Sequence, residues 1–238
     1  MTTTVFTFTV DGADNLLHIV ADSACREAFI IDPAWDASAI IQQLEQYQLT
    51  PVGILLTHTH ADHTSAVKPL LAKYDIPVYV SEAEYAVGRI HLDKPHWVRD
   101  GDCINLGAQK IEVIATPGHT AGGVTYKTNN ALIVGDTLFI DGCGHCDFPD
   151  SDAHQLFDSL QRLKSLADAL SIYCGHDYGQ QPIDSLGRQK QTNPYLLIED
   201  RAFFVAFRMH LQSQYRSIPF EPSSAEAMQQ IYQRHAPF

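Results

Sequence analysis

The segment Thr57-His58-Thr59-His60-Ala61-Asp62-His63 places four metal-ligand side chains within six residues. It follows directly on a run of apolar residues with the composition of a buried strand. Residues two apart in an extended segment point to the same side, so His58 and His60 are predicted to face one ion together. Asp62 and His63 lie where the chain turns towards a helix, and we expect them to face a second ion close to the first.

Three more candidate ligands follow other predicted strands. They are His119 after Thr-Pro-Gly, Asp136 after Gly135, and His176 after Gly175. Because α/β sheets place their sites at the carboxyl ends of strands, we expect these side chains to meet at one edge. Five imidazoles and two carboxylates suffice for two ions with three ligands each and one bridging carboxylate. We interpret the lone histidines elsewhere as ordinary side chains: His18, His91, His96, His154, His210 and His235.

Strands and helices alternate over most of the chain, a pattern typical of an α/β architecture. The periodicity predicts a helix over 156–170 and two further helices over 199–216 and 224–235. We predict no strands beyond about residue 180. The sequence therefore divides into two parts: a metal-binding catalytic domain over 1–180, and a linker with C-terminal helices over 181–238.

Composition and charge narrow the possible partners. Asp and Glu outnumber Lys and Arg by 28 to 16, which gives a net charge of -12. Such an acidic chain repels phosphate backbones, so we predict no nucleic-acid partner and no binding to anionic membranes. The N-terminal residues lack the features of a signal peptide, and the five cysteines are expected to be free thiols in the cytoplasm. Cys143-x-x-Cys146 is interpreted as a plain thiol pair.

The motifs resemble those of the metallo-β-lactamase superfamily. Residues 57–63 are similar to its HxHxDH signature, and Thr-Pro-Gly-His119-Thr and Gly-Asp136-Thr-Leu-Phe resemble two further motifs. The resemblance covers about residues 15–195. Within the superfamily the chain resembles the glyoxalase II branch, the hydroxyacylglutathione hydrolases, through Asp136, Gly142-Cys143-Gly144 and His176-Asp177-Tyr178.

This resemblance implies an αββα sandwich, here with a short C-terminal helical extension, and a binuclear metal site. The first ion would be held by His58, His60 and His119, and the second by Asp62, His63 and His176, with Asp136 bridging both. The ions would be zinc, with iron or manganese as alternatives. Asp62 and Asp136 are predicted to be the catalytic carboxylates.

Two residues bear on the substrate. His145 stands where the glyoxalase II pattern has a basic residue that binds the glutathione carboxylate, and a neutral ring does not replace that charge. Tyr178 matches a family tyrosine that contacts the thiol substrate. We therefore predict a metal-dependent hydrolase of a small thioester, with glutathione as one candidate thiol.

Other functions stay open at this point. A persulfide dioxygenase would use His58, His119 and Asp136 around a single Fe(II). A hydrolase of carrier-bound acyl thioesters would be similar to the zinc-dependent hydrolases of polyketide clusters. A binding protein with structural metals fits less well, because structural zinc sites are usually rich in cysteine. The C-terminal helices, with Arg201 and Arg208, are interpreted either as an apolar face packed on the sandwich or as a lid that offers arginine to an acidic acyl carrier.

Overall fold

A computed structural model describes residues 2–10, 14–215 and 220–235. Its first sheet contains six strands in chain order, antiparallel from the first to the third and parallel from the third to the sixth. The strands of this sheet are β1 (Thr3–Thr9), β2 (Leu16–Asp22), β3 (Glu27–Ile31), β4 (Thr50–Leu55), β5 (Val78–Ser81) and β6 (Pro95–Val98).

A second six-stranded sheet packs against the first, and a two-stranded hairpin lies beside it. The strands of this part are β7 (Cys103–Leu106), β8 (Gln109–Ala115), β9 (Val124–Lys127), β10 (Ala131–Gly135), the hairpin β11 (Leu138–Phe139) and β12 (Gly142–Cys143), then β13 (Ser171–Cys174) and β14 (Ile183–Ser185). The order across the second sheet is β14-β13-β10-β9-β8-β7.

Helices cover the outer faces of both sheets. They are α1 (Ala37–Gln46), α2 (Ala61–Thr64), α3 (Val67–Lys73), α4 (Glu82–Ala86), α5 (Ala153–Lys164), α6 (Leu186–Thr192), α7 (Arg201–Ala206), a π-helical turn over Phe207–Leu211, α8 (Gln212–Tyr215) and α9 (Ala225–His235). None of the helices in the described part of the chain combines the length and apolar character that a membrane span needs.

Strand β3 shows how the layers form. Phe29 and Ile31 join the apolar cluster that fills the space between the two sheets. Ala28 and Ile30 point the other way and pack with residues of α1 and α3. Alternate side chains of a strand face opposite sides, so a strand buried on both faces reads as a continuous apolar run. The order helix, sheet, sheet, helix confirms the predicted αββα sandwich.

The region after residue 180 differs from the prediction. Strands do not end there, because β14 pairs antiparallel with β13 in the register Tyr173↔Ile183. Its three residues are too few to show an alternating pattern in the sequence. Helices α6 and α7 share an apolar core with α5, and the rings of Phe157 and Phe204 lie 5.4 Å apart. The boundary at residue 180 therefore falls inside the second sheet, and the two-part division stays a prediction.

Helix α5 begins earlier and ends sooner than the predicted range 156–170. It begins at Ala153 because the side chain of Asp152 accepts hydrogen bonds from the backbone N–H groups of His154 and Gln155. It ends at Lys164, where Ser165 is the C-terminal cap residue. The earlier start extends the buried face of the helix by Ala153.

None of the five cysteines, which all lie in the described part of the chain, forms a disulfide. Cys143 and Cys146 are buried, and burial raises the pKa of the Cys146 thiol to about 12. A thiol of that pKa stays protonated near neutral pH and is a poor metal ligand or nucleophile. The interpretation of Cys143-x-x-Cys146 as a plain thiol pair agrees with this environment.

Candidate metal centre

The seven predicted ligands lie at one edge of the sandwich, just beyond the carboxyl ends of four strands. His58 and His60 follow β4, and the short helix α2 then carries Asp62 and His63. The other three follow the strands of the second sheet: His119 after β8, Asp136 after β10 and His176 after β13. Two sheets packed face to face bring these four strand ends together, as the sequence predicts.

The ligand atoms of the seven predicted residues form two groups of three, and a third group, Asp32, His58 and His63, shares two of these histidines. One ligand atom each from His58, His60 and His119 lies within 4.8 Å of the others, and the same holds for Asp62, His63 and His176. These are the two sets that the family resemblance implies.

The carboxylate of Asp136 lies between the two groups. Its Oδ1 is 3.4 Å from His63 Nε2, and its Oδ2 is 3.4 Å from His176 Nε2 and 3.7 Å from His119 Nε2. Asp136 therefore contacts histidines of both sets, which is the placement that a bridging ligand requires.

Several buried polar atoms of this cluster have no hydrogen-bond partner among the described residues. They include His58 Nε2, His60 Nε2 and Asp136 Oδ1. Unpartnered buried polar atoms are costly and call for an explanation. Imidazole nitrogens and carboxylate oxygens suit zinc, iron or manganese. The residues present therefore fit divalent metal ions.

The tautomers of three histidines follow from their oxygen partners. His119 Nδ1 lies 2.7 Å from the carbonyl oxygen of His145, and His63 Nδ1 lies 3.2 Å from Asp32 Oδ2. Thr57 Oγ1 donates its only proton to Asp32, so it accepts from His58 Nδ1 at 3.0 Å. Each Nδ1 thus donates to an oxygen, so Nε2 is the ring nitrogen that would ligate a metal ion in all three rings.

Burial and neighbouring charges set the protonation of the cluster. Burial lowers the pKa of His58 well below its ordinary value and the pKa of His60 to about 4, so both rings are neutral, which is the ligating form. Burial also opposes the charge of His63, but the carboxylates of Asp136 and Asp32 raise its pKa well above the ordinary value. Burial would raise the pKa of Asp62, yet the hydrogen bond with His176 lowers it to about 2.

Asp32 belongs to the site and was missed in the sequence. It is buried, it accepts from the Thr57 N–H at 2.7 Å and from Thr57 Oγ1 at 2.5 Å, and it orients His63. A carboxylate that holds the second nitrogen of a ligating histidine is a common outer partner in metal sites. Asp32 follows β3 at the same sheet edge, but an aspartate before Pro33 is also typical of the end of a strand, so the sequence does not mark it as part of a metal site.

Glu84 supports the loop that carries the first candidate ligands, and nothing near it in the sequence marks it for this role. Its buried carboxylate accepts from the N–H of Thr59 at 2.9 Å, from Thr59 Oγ1 at 2.8 Å and from the N–H of Gly122 at 3.1 Å. Thr59 stands between His58 and His60, so Glu84 fixes the extended backbone that aims both rings at the centre.

The two predicted substrate residues lie on opposite sides of the centre. The Tyr178 ring stacks on His176, with centroids 4.7 Å apart and planes 4° apart, and is 36% exposed. His145 lies beside the other group, where its carbonyl accepts from His119. Phe148, which is 44% exposed, adds a second exposed aromatic ring 4.6 Å from His60. Aromatic surface therefore borders both groups.

Backbone without side chains forms part of the wall around Asp136. A Cβ atom added to Gly175 would lie 2.2 Å from Asp136 Oδ1 and 2.6 Å from His63 Cε1. At Gly144 it would lie 2.1 Å from the Asp136 carbonyl oxygen and 2.9 Å from His119 Cβ. Only glycine permits such close approach, so these two positions define the space left for the ligands.

Comparison with known proteins places the chain in a family. A model of the metallo-beta-lactamase superfamily matches residues 19–176. The chain belongs to the metallo-beta-lactamase superfamily, as its motifs predict.

Relatives within the superfamily differ in their named activities. The "Probable polyketide biosynthesis zinc-dependent hydrolase PksB" of Bacillus subtilis is 34% identical over 198 residues, which cover 83% of this chain and 88% of that protein. A "Hydroxyacylglutathione hydrolase" of Nitrosomonas europaea is 37% identical over 186 residues, 77% of this chain and 67% of that protein. The crystal structure of ETHE1 from Myxococcus xanthus matches with a TM-score of 0.77 at 28% identity, over 94% of this chain and 97% of that one.

Proposed function

We propose that this protein is a cytoplasmic hydrolase of thioesters that works with two divalent metal ions, preferably zinc. The observation that carries the proposal is the arrangement of two ligand triads around the buried carboxylate of Asp136, with unpartnered nitrogens of His58 and His60 beside it. The similarity to a zinc-dependent hydrolase and to a hydroxyacylglutathione hydrolase supports the same reaction class.

The chain's own residues prepare the centre for hydrolysis. When bound, two ions supply an activated water near neutral pH and positive charge for the substrate carbonyl oxygen. Asp136 spans both groups of ligands and fixes their separation. Asp62, whose pKa is lowered to about 2 and whose side chain is 32% exposed, is a permanent acceptor that orients the attacking water.

The leaving group makes a thioester the fitting substrate. A thiol has a pKa of about 8.5, so it departs as a thiolate near neutral pH without a dedicated general acid. Burial raises the pKa of Tyr178 to about 12, so its hydroxyl stays protonated and donates a hydrogen bond to the substrate. We assign Tyr178 and His145 to opposite sides of the bound substrate.

The surroundings of His145 favour a thiol other than glutathione. Burial and the nearby Arg208 charge lower the pKa of His145, which keeps its ring neutral. The guanidinium of Arg89 already pairs with Asp150 and lies 3.5 Å from Glu84. A glutathione carboxylate would compete with these partners, whereas an uncharged thiol arm packs on Phe148 and Tyr178. The similarity to PksB supports carrier-bound acyl thioesters as this alternative.

A panel of thioesters tests the proposal. Metal-replete protein is assayed with S-D-lactoylglutathione and with an acyl-pantetheine thioester, each with and without a chelator, and His119→Ala serves as the inactive control. We expect chelator-sensitive release of thiol, with the higher kcat/KM for the pantetheine ester. Turnover that persists with the chelator and in His119→Ala would refute the metal mechanism.

A persulfide dioxygenase is the second candidate, because His58, His119 and Asp136 lie together and would supply the two histidines and one carboxylate of a single Fe(II) site. Protein loaded with Fe(II) is given glutathione persulfide in an oxygen electrode. Oxygen consumption without any thioester hydrolysis would replace the hydrolase proposal with this one.

A further inference from the structure

Arg208 is a buried cation close to the candidate metal centre. Only 7% of its surface is exposed, and its hydrogen bonds go to neutral groups. Nε donates to the Gly144 carbonyl at 2.8 Å, Nη1 to Gln212 Oε1 at 3.1 Å, and Nη2 to His145 Nδ1 at 2.7 Å.

Two of these bonds hold the peptide segment that supports a candidate ligand. The His145 carbonyl accepts from His119 Nδ1 at 2.7 Å. The preceding residue, Gly144, passes so close to Asp136 and His119 that it has no room for a Cβ atom. A shift of the Gly144–His145 peptide therefore displaces the oxygen that orients the His119 ring.

The local helix geometry explains how Arg208 reaches this segment. Phe203, Phe204 and Phe207 are buried in the core beneath the second sheet. The π-helical turn over Phe207–Leu211 follows, and Arg208 is its second residue. A π turn is uncommon and often occurs at functional sites, because its wider turn changes the direction of the side chains it carries.

We propose that Arg208 is a positioning residue for the metal centre. It fixes the Gly144–His145 peptide from the C-terminal helices, and through the His145 carbonyl it holds His119 in the orientation that binds metal. An arginine also fixes the ring of His145: since guanidinium only donates, Nδ1 accepts and the proton of the neutral ring lies on Nε2. This inference rests on the proposed metal site.

The alternative, an arginine that binds the substrate as part of a lid, fits the contacts less well. Nε, Nη1 and Nη2 are each engaged within the protein, and the side chain is buried. Arg201 also makes no contact with the centre. It is exposed and pairs with Asp158 on the surface of α5. The C-terminal helices thus combine apolar packing with support of the site from below.

Metal titration of Arg208 variants tests the inference. Metal-free wild type, Arg208→Met and Arg208→Lys are titrated with Zn²⁺ in competition with a chromophoric chelator, and with Co²⁺ to record its visible absorption. We expect wild type to bind two ions and Arg208→Met to bind one of them about tenfold more weakly, with an altered Co²⁺ spectrum for that ion. Arg208→Lys keeps the charge but not the planar fork, so we expect it to bind that ion nearly as weakly as Arg208→Met does.

The matched control is Arg201→Met, which removes an arginine from the same helical region and should bind both ions like wild type. Circular dichroism checks folding, and Arg208→Lys supplies the measurement if Arg208→Met does not fold. Unchanged binding of both ions in a folded Arg208 variant would overturn the role of Arg208 alone. A wild-type chain that binds no divalent ion would overturn the proposed function together with this inference.

Discussion

Histidine is buried in two different regions of this molecule. His18 lies on β2, where its ring contacts Tyr173 of the facing sheet, and is 3% exposed. His58 lies at the sheet edge after β4 and is 2% exposed. Burial lowers the pKa of both rings, to about 4 for His18 and well below the ordinary value for His58.

The two rings differ in what their nitrogens contact. His18 Nε2 donates to the Cys174 carbonyl at 2.8 Å, and Nδ1 accepts from Thr7 Oγ1 at 3.0 Å, so both nitrogens are satisfied. His58 uses only Nδ1, and Nε2 has no partner among the described residues. Burial and a low pKa therefore do not separate a core histidine from a candidate metal ligand, whereas the partners of both ring nitrogens do.

The largest effect is expected when each of the two histidines is replaced by glutamine. In His58→Gln we expect the affinity for one of two zinc ions to fall more than about a hundredfold, above the effect typical of outer-shell partners. In folded His18→Gln the affinity should stay within about threefold of wild type, because its nitrogens already have protein partners. Competition titration with a chelator measures both, and equal losses in the two variants would contradict the distinction.

Removing the carboxylate of Asp32, which contacts His63, is a second test at the candidate metal centre. Asp32→Asn keeps the shape but weakens the acceptor for His63 Nδ1, so we expect zinc affinity to fall by about 10- to 100-fold. Asp36→Asn is the matched control, since Asp36 only caps α1 and asparagine caps a helix equally well. If both variants bind zinc like wild type, Asp32 has no part in the metal centre.

The pH dependence of the free energy of unfolding tests the role of His18 in the core. The pKa of His18 is about 4 in the folded chain and about 6.5 when unfolded, so the unfolded state takes up its proton first as the pH falls. Stability from this group is present above pH 6.5 and is lost as the pH decreases towards 4.

Between pH 7 and pH 5 the stability advantage of wild type over His18→Gln should shrink by about 2 kcal/mol. Urea unfolding of the metal-free proteins measures this difference, because glutamine keeps a donor and an acceptor but does not protonate. Groups that titrate in both proteins cancel in the comparison. A difference that stays constant with pH would mean that His18 does not determine it.

The smallest effect is expected from Tyr178, at the exposed border of the candidate metal centre. Tyr178→Phe removes a hydroxyl but keeps the ring that stacks on His176, so both ions should bind as in wild type. Loss of one hydrogen bond to the substrate predicts a rise in KM of at most about tenfold, with little change in kcat. Steady-state kinetics on the preferred thioester checks this, and a weakened metal affinity would instead make Tyr178 part of the centre.

Much of the candidate centre was predictable because its candidate ligands are marked locally. Four of them stand within six residues, and His119, Asp136 and His176 each follow a strand beside a glycine. The alternation of strands and helices predicted an α/β architecture, and the family resemblance implied the sandwich. The interpretation of His18 as an ordinary side chain has the same basis, since it stands alone in a strand without other ligand types nearby.

The supporting residues were not predictable, because their partners lie far away in the chain. Asp32 reaches His63 across 31 positions, and Arg208 reaches His145 across 63. Nothing next to Arg208 distinguishes it from any arginine on an amphipathic helix. Strand β14 was missed for a related reason: three residues acquire their conformation from pairing with β13 rather than from their own pattern.

The glycines at 144 and 175 separate two kinds of change during evolution. A methyl group at either position would collide with Asp136 or its neighbours, so substitution of either glycine is unfavourable. The side chains of Phe148 and Tyr178 are partly exposed and meet no such barrier. Selection for a new substrate can therefore change these exposed side chains while the residues around Asp136 stay the same. Relatives with different named activities are then the expected outcome.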